Sequence, residues 1–134
     1  MRYELLEHTA DVMVKAHGAT IEECFANAAY ALEDQMVHAE LIAERTSYEF
    51  DVVGFDMESL LLNFLSEFLF IQDTKRLVFS RFEVHISGLS LHCVAWGEEI
   101  DTERHQAKGE VKAITYHMMR IDPKEPSVTV LFDI

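Results

Sequence analysis

Met57-Glu58-Ser59-Leu60-Leu61-Leu62-Asn63-Phe64-Leu65-Ser66-Glu67-Phe68-Leu69-Phe70-Ile71 is the stretch on which the fold turns. Its leucines and phenylalanines fall around most of a helical projection, where a surface helix carries a single apolar stripe. Such a helix must be covered on several sides. Asp56 stands ready to cap its first free amides, just after Gly54. Upstream, Arg45 to Phe55 reads as a strand, with Tyr48, Phe50 and Val52 opposed to Glu49 and Asp51. Downstream, Leu77 to Ser87 and Leu89 to Trp96 read as a hairpin joined near Gly88, part of a meander.

Working outward, Thr20 and Glu23 have the spacing of a capping box. Ile21, Cys24, Phe25, Ala28, Ala29, Leu32 and Met36 then form one apolar stripe, which predicts a second helix with small residues for close approach to a sheet. Before it, Tyr3 to His8 and Val12 to Gly18 suggest a β-pair. Near the other end, Val111 to Ile121 and Val128 to Ile134 read as strands joined through Asp122-Pro123-Lys124-Glu125-Pro126. The expected fold is α+β: a single two-layer domain over residues 1–134, with a mixed or antiparallel β-sheet packed against two main helices.

Composition agrees with one folded domain. The chain has 134 residues, 49% of them apolar, with nine Phe, and no low-complexity run or linker. No segment approaches the roughly 20 apolar residues of a bilayer span, and Met1-Arg2-Tyr3-Glu4 does not open a signal peptide, so a soluble cytoplasmic protein is expected. Cys24 and Cys93 form no close pair and read as reduced core thiols. Twenty-four acidic residues against eleven basic ones leave a formal charge of −13. Binding to nucleic acid needs clustered Lys and Arg to displace counterions. Here Lys75, Arg76 and Arg81, and then Arg104, Lys108 and Lys112, are scattered among acids. Little direct affinity for RNA or DNA is expected; a basic protein partner or a divalent cation suits the charge.

Hard cations take several oxygen ligands. Asp133 and the terminal carboxylate of Ile134 offer two, and Asp11, at the turn between the first strands, offers a third. The plain alternatives are a turn-forming Asp11 and a solvated Asp133. Between Gly97 and His105, the residues Glu98, Glu99, Asp101, Glu103, Arg104 and His105 make a dense ionisable loop. It reads as a solvated acidic turn or as a contact surface. Seven histidines show no zinc-binding spacing. His8, His105 and His117 could carry protons or serve as hydrogen-bonded structural groups. There is no Gly-x-Ser-x-Gly elbow and no Gly-rich phosphate loop, so no catalytic residue is assigned. A small metal-dependent hydrolase would need Asp11 and Asp133 as ligands and His8 or His117 as base.

Several segments in order resemble the archease family: His8-Thr9-Ala10-Asp11-Val12, Thr20-Ile21-Glu22-Glu23-Cys24-Phe25, Gly97-Glu98-Glu99-Ile100-Asp101 through Arg104-His105, Glu110-Val111-Lys112-Ala113-Ile114-Thr115-Tyr116-His117 and Val130-Leu131-Phe132-Asp133-Ile134. The resemblance implies a non-catalytic activator of the RtcB-type RNA-splicing ligase, which joins tRNA exon halves, promoting its guanylylation and turnover. It implies metal ligation by Asp11, Asp133 and Ile134, with calcium favoured and magnesium or manganese compatible. His8, Glu98, Asp101, Arg104, His105, Lys112 and His117 become candidates for partner contact or for support of the site. A chaperone-like role toward a tRNA methyltransferase is the alternative partnership the resemblance implies.

Overall fold

The computed structural model describes residues 1–6 and 11–134. In chain order the elements are β1 (Tyr3–Leu6), β2 (Val12–His17), α1 (Ile21–Met36), a 3-10 turn (Ala39–Leu41), β3 (Thr46–Val53), α2 (Met57–Lys75), β4 (Leu77–Ser87), β5 (Ser90–Glu99), β6 (Ala113–Asp122) and β7 (Ser127–Asp133). The α+β class and the two helices agree with the sequence expectation. The strands divide between two sheets, where the patterning suggested one. The first has the order β1-β2-β7-β6 and the second β3-β5-β4, and every pairing among the described residues is antiparallel. The second sheet is not a simple meander, because β4 takes the far edge and β5 folds back between it and β3.

Helix α2 explains this arrangement. Leu60, Leu61, Phe64, Leu65, Phe68 and Ile71 are fully buried, and the helix packs on β6 of one sheet and on β3, β4 and β5 of the other. Covering its circumference therefore takes surfaces from both sheets. Phe68 sits at the centre of an aromatic cluster, with ring centroids 5.1 Å from Phe64, 5.4 Å from Phe50 and 5.3 Å from Phe82, all edge-to-face. That geometry sets the positive ring edge against the negative face. Phe70 is the exception on this helix and stays 57% exposed.

The helix starts follow the sequence signals. Thr20 Oγ1 accepts the Glu23 amide at 3.1 Å. Asp56 Oδ1 accepts the Ser59 amide at 2.7 Å, while Ser59 Oγ accepts the Asp56 amide at 3.2 Å, closing a reciprocal cap. Helix α2 runs past Ile71 to Lys75 and ends on Arg76 in the left-handed conformation, φ 59°. Gly88, with φ 60°, supplies the positive backbone angle of the two-residue β4–β5 hairpin turn. Gly97 meets a steric demand: a Cβ there would lie 1.8 Å from the Val78 carbonyl oxygen.

Beside Gly97, β4 carries a bulge between Phe79 and Arg81. The bulge takes Ser80 out of the ladder, and the Phe79 amide next to it donates to Glu33 Oε2 of α1. Glu33 is 1% exposed, and its Oε1 has no hydrogen-bond partner. Burial pushes its carboxyl up to about 8 against the downward pull of the Phe79 amide, so it is held protonated at neutral pH. The unfolded chain loses this proton near pH 4.5 and the folded chain near 8. Stability should therefore fall as pH rises between those values, by up to about 1.4 kcal/mol per unit, and then level off. We expect Glu33→Gln to remove this decline, so that chemical denaturation at pH 9 finds the variant more stable than the wild type.

Candidate metal centre

The acidic residues picked out at the two ends of the chain adjoin the β2–β7 ladder of the first sheet. Strand β7 is central, flanked by β2 and β6. Val14 faces Val130 and Ala16 faces Val128, all fully buried, with α1 packed on both strands. Val12 faces Phe132 in the last pair of that ladder. Asp11 directly precedes Val12 and Asp133 directly follows Phe132, so the two carboxylates adjoin this last pair in sequence. By the pleat, Asp133 shares the side of Leu131, opposite to the helix-facing valines. On the other flank Asp133 pairs with Ala113, whose methyl takes little room, and the Lys112 amide donates to the Asp133 carbonyl at 2.7 Å. Asp133 is exposed, Asp11 is half-buried, and Ile134 follows at 48% exposure.

Carboxylate oxygens such as those of Asp11 and Asp133 are of the kind a hard cation takes. No cluster of three or more His, Cys, Asp or Glu side chains able to hold a metal occurs among the described residues. Exposed Lys112 lines a small cleft of about 150 Å³ with Gln72, Asp73 and Glu110.

The segment after β5 departs from the reading as a solvated acidic turn. Glu98 belongs to β5 and is 3% exposed, and His105 is wholly buried. Glu98 Oε1 accepts from Arg104 at 2.6 Å and meets Arg45 Nε at 3.1 Å. Its Oε2 accepts the Ala43 amide at 2.6 Å and lies 2.8 Å from His105 Nε2. Since His105 Nδ1 accepts the Asp101 amide at 3.0 Å, the imidazole proton belongs on Nε2, where it donates to Glu98. Burial alone would push the Glu98 carboxyl up. The Arg104 guanidinium, the Ala43 amide and His105 outweigh that and hold it down at about 2.

The rest of the segment is fastened to the end of α1. The His38 amide donates to the His105 carbonyl and the Lys108 amide to the Met36 carbonyl, at 2.9 and 2.8 Å. Asp101 Oδ1 accepts the Glu103 and Arg104 amides, each at 3.1 Å. Glu98 and His105 are both buried within this network. Asp101 and Arg104 keep about half their side-chain surface exposed, beside an open cleft. The run of charges concealed this hub, and only the Glu98–His105 spacing across a predicted strand end could have hinted at it.

The remaining candidates separate. His8 lies outside the described residues. His117 is exposed in β6, with its amide donating to Thr115 Oγ1 at 3.0 Å. Strand β6 begins at Ala113, not Val111, and is interrupted: Thr115 pairs with Leu131 but Arg120 with Thr129, so three extra residues loop out, with Met118 at φ 58°. Both cysteines are buried free thiols, and burial pushes Cys24 up to about 11 and Cys93 up to about 12. Neither is an activated nucleophile.

The elements define a small α+β domain of two antiparallel sheets and two helices, with β2 near the start of the chain paired to β7 at its end. Residues 3–134 match the model of the Archease protein family (MTH1598/TM1083). The chain belongs to that family. It is 46% identical over 125 residues to protein archease of Pyrococcus abyssi, covering 90% of this chain and 88% of that one. The archease of Methanosarcina mazei is 36% identical, covering 90% and 86%. The solution structure of protein 1598 of Methanobacterium thermoautotrophicum superposes with a TM-score of 0.82 at 35% identity, covering 99% of each chain. No helix among the described residues is long and apolar enough to cross a membrane.

The depressed Glu98 carboxyl contributes stability that is present above pH 4.5, its ordinary value, and is lost as pH falls toward 2. We expect Glu98→Gln to cost about 1–3 kcal/mol at pH 7, because Arg45 and Arg104 are exposed enough to recover water. Urea titrations from pH 2 to 5 should show a shallower acid limb for the variant; identical limbs would remove Glu98 as the anchor of the segment.

Proposed function

We propose that this chain is a non-catalytic activator of an RtcB-type RNA ligase in the cytoplasm, and that it acts through a divalent cation held by Asp11, Asp133 and the terminal carboxylate of Ile134. The observation that supports the reading is the β2–β7 register, whose last pair, Val12 and Phe132, is adjoined in sequence by Asp11 and by the exposed Asp133. Facing carboxylates repel unless a cation or proton stands between them, and hard oxygen donors favour calcium, with magnesium and manganese compatible. Family membership supports an RNA-processing partner.

A cation held there supplies concentrated positive charge for nucleotide phosphates in the ligase pocket. This chain's own residues bind and aim it. Strand β7, held by β2 and β6 on its two sides, fixes the direction of Asp133. Lys112, on the flank of that strand, offers an exposed ammonium to a phosphate oxygen. The Glu98–His105 hub fastens the segment leading from β5 to Lys112 onto α1. The net charge of −13 favours a basic protein partner over direct binding of RNA.

The test is guanylylation of the ligase by GTP with and without this protein. We expect Asp11→Ala and Asp133→Ala each to remove most of the stimulation while leaving the melting temperature near that of the wild type, and Glu40→Ala to behave as wild type. Equal stimulation by all three variants would refute the metal-end reading. Stimulation of a tRNA methyltransferase with no effect on the ligase would establish the other partnership.

A further inference from the structure

Strand β3 leaves one side of its backbone open, and the side chains around that edge specify what could pair with it. Among the described residues it is the edge strand of the second sheet, bonded to β5 alone. The Gly54 amide donates to Leu89 on the β5 side, whereas the Val53 carbonyl accepts from Asn63 Nδ2 of α2. Successive residues of a strand point their main-chain groups to opposite sides. Val53, Asp51, Glu49 and Ser47 therefore direct their amides and carbonyls outward. Asn63 already occupies the Val53 carbonyl, so the open positions are Asp51, Glu49 and Ser47.

Helix α2 runs back along this edge and leaves a cleft of about 550 Å³, lined by Asp51, Val53, Ser66, Glu67 and Phe70 among others. Val53 is 66% exposed and Phe70 57%, and Phe55, at the turn between the two elements, is 94% exposed. The Asp51 and Glu49 side chains lie on the opposite, helix-free face of the sheet. There His92 of β5 meets them at 2.8 and 3.2 Å, yet they remain 77% and 68% exposed.

We propose that this edge accepts an extended segment of a protein partner in which basic and apolar residues alternate. The alternation follows from the pleat. Residues of an added strand that face Asp51 and Glu49 share their side of the sheet, where Lys or Arg is complementary. Their neighbours point toward α2, where Val, Ile or Leu covers Phe70 beside Val52. A second copy of this chain is the wrong occupant, because each copy carries −13 and the same acidic edge. This surface does not depend on the metal-end reading, since it uses neither Asp11 nor Asp133.

The probe is a capped, fluorescein-labelled octapeptide of alternating Val and Lys, compared by anisotropy with a peptide of the same sequence methylated on alternate backbone nitrogens. Methylation keeps the charge and removes the donors a ladder needs. We expect the methylated peptide to bind about tenfold more weakly or worse, with similar losses for Glu49→Lys, Asp51→Lys and Phe70→Ser. Glu125→Lys changes the net charge equally at a distant turn and should bind as wild type. Amide exchange at Glu49 and Asp51 should slow with the unmodified peptide alone. Equal binding of the two peptides, no binding of either, or unchanged exchange at both amides would overturn the proposal.

Discussion

The pairing of β2 with β7 is the constraint from which the acidic end follows. Buried Val14, Ala16, Val128 and Val130 lock it from the helix side. A strand with one face in the core cannot slip by one residue without turning every side chain over. Such a slip would carry Asp133 toward α1. Packing under the helix thus decides which residues face each other at the exposed end, although none of the packing residues carries charge.

The second constraint is the apolar circumference of α2. One sheet cannot cover it, and β6 reaches it from one sheet while β3, β4 and β5 reach it from the other. That need ties the acidic end, the aromatic cluster around Phe68 and the β3 edge to a single helix. Where cover stops, at Phe70, the helix and the open strand edge leave a cleft lined by apolar, polar and acidic side chains together.

Local signals carried much of this into the sequence. The Thr20 and Asp56 caps, the apolar stripe of α1, the turn at Gly88 and the strand character of β3 and β7 each depend on a few neighbouring residues, and they stand where the pattern put them. Asp11 and Asp133 stand out in the sequence as candidate oxygen donors because carboxylates at strand ends can escape the pleat. What could not be read was partnership over distance. Alternation identifies a strand without naming its sheet, so the division into two sheets stayed hidden. The Glu98 hub was missed because it draws on Ala43, Arg45, Arg104 and His105 from different parts of the chain. A local run of charge looks the same whether it is solvated or buried against such partners. The loop-out in β6 likewise leaves no trace in a stretch that reads as continuous strand.

Paramagnetic relaxation by Mn²⁺, followed on the amide signals of the isolated protein, tests the central claim most directly. Sub-stoichiometric Mn²⁺ should broaden Val12, Lys112 and Ala113 first, and that pattern should vanish in Asp11→Asn and Asp133→Asn while the remaining signals stay in place. Broadening centred elsewhere, for example around His92 and Glu49, or an unchanged pattern in both variants, would contradict the account.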